Sequence, residues 1–202
     1  MMPVGFDMSD FERAASRAGA LQDQIPFALS QSLNDGLFAA RDHLITHTWP
    51  AHVSVRDPNF MRNALRVERA SKGNLSGAVT SQGTRAGNRG HLVMHEKGGV
   101  KRPSKSKIAI PDRKVLARRS GRGIPKSLRP GTAPNTFRKG DVIYQVTGGK
   151  KNRKLKLLYT LKPQAPIKGV VPFHADFDTV VRREVTRAFP NRIKAAMASR
   201  RK

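Results

Sequence analysis

The chain contains no cysteine. Disulfides, thiolate zinc sites and cysteine nucleophiles are therefore excluded, and the fold is indifferent to the redox state of its compartment. Aromatic residues make up only 6% and apolar residues 38% of the 202 positions, so not every residue can belong to one core. No window approaches the roughly 18 consecutive apolar residues of a membrane-spanning helix. Acidic residues are scarce as well, 14 against 39 Lys and Arg, for a net charge of +25. Such an excess favours polyanions and acidic protein surfaces as partners and opposes compaction by self-repulsion. Near the N-terminus Asp7, Asp10 and Glu12 stand where a secretory signal would be basic, so a protein acting in the cytosol, or in an assembly built there, is expected.

What is present begins with Ile25 to Trp49. Leu29, Leu33, Leu37, Ala40 and Leu44 recur at steps of three and four, and Phe38, Ile45 and Trp49 widen the stripe. Pro26 suits a first helical turn and Pro50 is expected to end the helix. So broad an apolar face needs a sheet or further helices laid against it. Asp7 to Leu21 reads as a shorter helix before it, with Ser9 and Glu12 in capping-box spacing.

The charge is uneven along the chain. Residues 1–60 carry a net of −3, residues 61–96 +4, residues 97–162 +18 and residues 163–202 +6. Asp57-Pro58 opens a short helical turn through Met61 and Ala64. Leu65 to Ala70 and Leu75 to Ser81 read as a hairpin about Lys72-Gly73-Asn74, and His91 to His95 as a third strand. Val142, Tyr144 and Val146 alternate within Asp141 to Thr147, and Leu155 to Leu161 is their return strand across a Gly148-Gly149 turn. A last helix spans roughly Ala175 to Ser199, with Phe177, Val180, Val181, Val185, Ala188 and Phe189 on its apolar face. Pro190 predicts a kink or a break in it.

Between these elements, residues 101–140 show little periodicity and read as an extended basic arm that wraps a neighbour. The expected fold class is α+β: a long N-terminal helix and a C-terminal helix packed on a small antiparallel sheet. Residues 1–100 supply the first helices and strands, 101–140 the arm, and 141–202 the strand pair and last helix of a single domain.

Chemistry is hard to place. On a strand, His91 and His95 would lie about 13 Å apart, too far to share one zinc ion with Glu96. His43 and His47 have chelating spacing on the long helix but no third ligand nearby in sequence, so a solvated face is the expected reading. No nucleophile–base ordering, paired-carboxylate pattern, Walker motif or dinucleotide motif is found. No enzyme, metal or cofactor is expected.

The candidate binding residues are the arm cations Lys101, Arg102, Lys105, Lys107, Arg113, Lys114, Arg118, Arg119, Arg122, Lys126 and Arg129. They suit either nucleic-acid phosphates or an acidic face of another protein. Phe137 is the nearest aromatic residue, and its isolation argues against single-strand recognition.

The layout resembles the minor tail protein Z, or tail-completion, family of long-tailed bacteriophages. The likeness rests on the long helix through Ile25-Pro26-Phe27-Ala28-Leu29-Ser30-Gln31-Ser32-Leu33-Asn34, the basic middle and the strand pair. Val170-Val171-Pro172-Phe173 then leads into a C-terminal helix with a Phe189-Pro190 step and a basic end. The resemblance implies a structural virion protein at the head-proximal end of a tail, in the neck or head–tail connector region, assembled in the host cytoplasm. It implies several copies in a ring, next to tail-tube, tail-terminator or head-closure proteins, with genome DNA as a further possible contact. A non-sequence-specific nucleic-acid-binding protein is the alternative function.

Overall fold

The computed structural model describes residue 13 and residues 24–55, 57–81, 91–103, 106–119, 123–149 and 152–200. The expected first helix, apart from Arg13, lies outside the described residues. The chain divides into two compact units, residues 1–96 with 170–202, and residues 97–169. The second unit interrupts the first.

The first unit is built on two long helices. Helix α1 (Gln24–His43) continues through a π-helical turn (Leu44–Thr48) into α2 (Trp49–His52). Pro50 therefore does not end the helix, contrary to the sequence expectation. Within the π turn the Trp49 N–H reaches back five residues to the Leu44 carbonyl. This widened register sets Pro50 into the first turn of a new α segment, where its missing N–H is tolerated. Helix α6, in the C-terminal part of this unit, spans Phe173–Arg200 and runs unbroken past Pro190. Pro190 and Thr186, whose carbonyl would otherwise be its partner, are both exposed, so water can satisfy what the ring denies.

The two helices lie antiparallel. At one end Ala28 and Leu29 pack with Phe189, Ile193 and Ala196. Further along, Leu37, Ala40, Leu44 and Trp49 pack with Phe173, Phe177, Val180, Val181 and Val185. Each Leu, Ile, Val or Phe among them contributes about 1.5–3 kcal/mol when fully buried. Most of the expected apolar stripe is buried: Leu29, Leu37, Leu44 and Trp49 are buried and Leu33 is half-buried against the same core, whereas Phe38, expected to widen it, is exposed with the Arg69 guanidinium over its ring.

Helix α3 (Phe60–Ala64) leads into a hairpin of β1 (Leu65–Glu68) and β2 (Ala78–Ser81), with Leu65 opposite Ser81 and Glu68 opposite Ala78. Two polar clamps hold this hairpin to α1. Asn34 accepts from the Ala70 N–H at 2.9 Å and donates to the Ala70 carbonyl at 3.0 Å. Arg41 donates to the Leu65 and Arg62 carbonyls at 3.0 and 2.9 Å. Residues His91–Lys97 form a helix, α4, and not the expected strand. Leu92 is buried in the core and His95 lies edge-on to Trp49, 5.2 Å between ring centres. A helical turn satisfies both contacts, whereas a strand would not bring those residues to one face.

The second unit holds a four-stranded antiparallel sheet in the order β4 (Ile108–Pro111), β7 (Lys154–Lys162), β6 (Val142–Thr147), β5 (Thr136–Lys139). A separate pair joins β3 (Gly99–Lys101) to β8 (Ala165–Ile167). Here the expectation of an extended arm over residues 101–140 is corrected. Ile108 to Pro111 is a sheet strand, and Asp112 caps the short helix α5 (Arg113–Leu116) by accepting from the Lys114 N–H. Val115, Leu128 and Ala133 close over one sheet face as a core with Leu158 and Tyr159. The Tyr159 hydroxyl donates to the Leu128 carbonyl at 2.8 Å inside this core. The fold class is α+β, as the sequence indicates.

Candidate functional site

The second unit carries twenty-one basic and two acidic side chains, a net of +19, against +6 for the first. Of the two carboxylates, Asp112 is spent on the helix cap. Asp141 is held by the Lys107 ammonium, with Arg138 3.6 Å away. That ammonium, and then its charge with those of Arg138 and Lys162, keeps the Asp141 carboxyl below the usual range.

The candidate cations fall into distinct settings. Lys101 sits half-buried on β3 and Arg102 follows it, exposed. Arg113 and Lys114 project from α5, with Arg118 and Arg119 exposed just after it. Lys126 begins a 3-10 turn, and the Arg129 Nε donates to the Ile124 carbonyl at 2.5 Å. These last six belong to the segment that folds over the closed face of the sheet, so their heads form an outer cationic layer on a packed base. Lys105 and Arg122 lie outside the described residues.

The opposite sheet face is open. Antiparallel register sets Phe137 opposite Tyr144 and Tyr144 opposite Leu157, with Val146 opposite Leu155 in the next row. The Phe137 and Tyr144 rings stack at 5.7 Å. Leu155 is 66% exposed, Phe137 41%, Ile110 40% and Leu157 37%. The sequence reading missed this pairing, because it treated Phe137 as an isolated aromatic residue of the arm. The available signal was Gly140-Asp141: Gly140 has φ +57°, and a two-residue turn there folds Phe137 back onto Tyr144.

His43, His47, His95 and His174 are engaged in structural contacts. Glu96, at the end of α4, accepts from the backbone N–H and from Nδ1 of His174 at 2.9 and 2.5 Å, capping the start of α6. Burial against the core lowers the His95 pKa. His43 and His47 stack with ring centres 4.8 Å apart, and His47 Nδ1 contacts the Thr46 hydroxyl at 2.7 Å. Among the described residues no three His, Asp or Glu side chains stand together as a metal site. No helix among them is long and apolar enough to cross a membrane.

Set beside protein-family models, curated proteins and solved structures, the chain matches none of them.

Proposed function

We propose that the chain is a non-enzymatic structural component at the head-proximal end of a phage tail, where it completes the tail and helps join it to the head. The observation that carries this reading is the concentration of charge: a net of +19 in residues 97–169, with Arg113, Lys114, Arg118, Arg119, Lys126 and Arg129 exposed on a folded base. A fixed array of like charges is a docking surface for an acidic neighbour, and it gives the contact its specificity and its sensitivity to salt. The two-helix first unit supports the same role, since its own core can hold the chain in place while the basic unit engages a ring or tube protein. The layout resemblance to tail-completion proteins is the ground for proposing that location, and rings of identical copies are the expected arrangement there.

The test is genetic and visual. A phage whose copy of this sequence is interrupted should lyse its host and release filled heads and separate tails, seen by electron microscopy. Addition of purified protein to that lysate should restore joined, infectious particles. Normal particle yield without the protein would end the reading.

A further inference from the structure

The open face of the second unit's sheet is unlike its cationic cover. The four strands Ile108–Pro111, Thr136–Lys139, Val142–Thr147 and Lys154–Lys162 carry no carboxylate, and their register puts Lys139 and Lys162 on this face. Lys139 stands opposite Val142 in the row beside the Phe137–Tyr144 stack, and exposed Arg153 just precedes β7, two residues before Leu155. The face therefore offers a flat aromatic pair, apolar side chains on either side, and cations along the margins.

We infer that this face is a stacking platform for single-stranded nucleic acid. A polyanion whose bases present flat apolar faces uses every part of the surface: bases on Phe137 and Tyr144, sugars on Leu155 and Leu157, phosphates on the marginal Lys and Arg. A duplex keeps its bases stacked inside and engages the charge alone. A second copy of the chain would bring another net +19 against the same face, which like-charge repulsion opposes. Sequence specificity is not expected, since every base has a π face and no Asn, Asp or Glu stands on these strands to read base edges. The property is independent of tail assembly.

The test uses the full chain with a fluorescein-labelled oligothymidylate of about 20 nucleotides, longer than the roughly 4–16 that a small binding sheet covers. Anisotropy titrations are run beside a duplex of the same length at roughly 50 and 200 mM salt. The single strand should bind more tightly than the duplex at both salts. Phe137→Leu keeps apolar bulk but removes the π face, and should weaken oligothymidylate binding about tenfold while changing duplex binding less than about twofold. Leu155→Glu is the second variant. It lies at a position 66% exposed, where folding does not depend on it, and should weaken the single strand by a similar factor. Equal binding of both nucleic acids, unchanged by Phe137→Leu, would reduce the surface to plain charge and overturn the inference. So would binding of poly-L-glutamate with none of oligothymidylate, which would give the face to an acidic protein segment.

Discussion

Gly36 on α1 lies against Val185 on α6 with no room for a side chain between them. A Cβ at Gly36 would stand 2.8 Å from Val185 Cγ2 and 3.2 Å from the Val181 carbonyl oxygen. Glycine in a helix interior costs about 1 kcal/mol relative to alanine, and here it allows a close approach of the two helices. Gly36→Ala gains that propensity but overpacks a core in which Val185 is fully buried, a cost of about 1–3 kcal/mol. The expected net is a loss of about 1 kcal/mol, and Gly36→Val should lose more. In a Val185→Ala background the alanine has space, and the same substitution should become neutral or stabilising. Thermal unfolding of the four proteins of that cycle measures the coupling.

Tyr159 tests whether the basic segment is truly folded. Its hydroxyl donates to the Leu128 carbonyl within the core formed by Val115, Leu128, Ala133 and Leu158, and burial raises its pKa. Tyr159→Phe leaves that carbonyl without its donor and should cost about 1–3 kcal/mol. Leu158→Ala should cost about 2–5 kcal/mol. Both should make residues 97–169 more susceptible to limited proteolysis. Were residues 101–140 a free arm, neither substitution would change its cleavage rate.

The legible parts of this chain are those with a local period. Leu29, Leu33 and Leu37 announce α1, and Val142, Tyr144 and Val146 announce β6, because neighbours three, four or two residues apart decide those faces. The basic segment hides its core because Val115, Leu128 and Ala133 are single apolar residues far apart in sequence, and their partners Leu158 and Tyr159 come later still. His91–Lys97 is too short for alternation to separate strand from helix. Packing of Leu92 and His95 decided it. Pro50 was overridden by tertiary contacts: Thr48 donates to the Asp176 carboxylate at 2.5 Å and Trp49 stacks on Phe173, which hold the π turn in place. The open sheet face was within reach of the sequence, had the hairpin been taken to turn at Gly140-Asp141.

His95 makes stability depend on pH. Its imidazole lies against Trp49, and desolvation lowers its pKa from the ordinary 6.5. The folded protein thus holds the neutral ring, while the unfolded chain takes up a proton more readily. The resulting stability is fully present above pH 6.5, declines as pH falls below that value, and is lost once pH passes the folded pKa. Melting temperatures between about pH 7.5 and 5 should fall more steeply for the wild type than for His95→Leu, which has no proton to gain. Parallel curves would show that His95 is not the source of the acid sensitivity.

Under the proposed role in joining heads to tails, Arg118 and Arg119 separate docking from folding. Both are exposed just beyond α5, and neither belongs to the core beneath it. Arg118→Glu with Arg119→Glu reverses two charges and takes the chain from +25 to +21. Surface changes of this kind usually stay within about 0.5 kcal/mol. Here the direction should be neutral or slightly stabilising, because the folded state gathers like charges that repel. Binding to an acidic neighbour should weaken, and its salt dependence should become shallower, since fewer cations take part. The relevant measurements are melting temperature and joining of heads to tails on the same preparation. An unchanged melting temperature with lost joining locates the docking surface on the cationic cover. Joining that survives the reversal would move it to another face of the molecule.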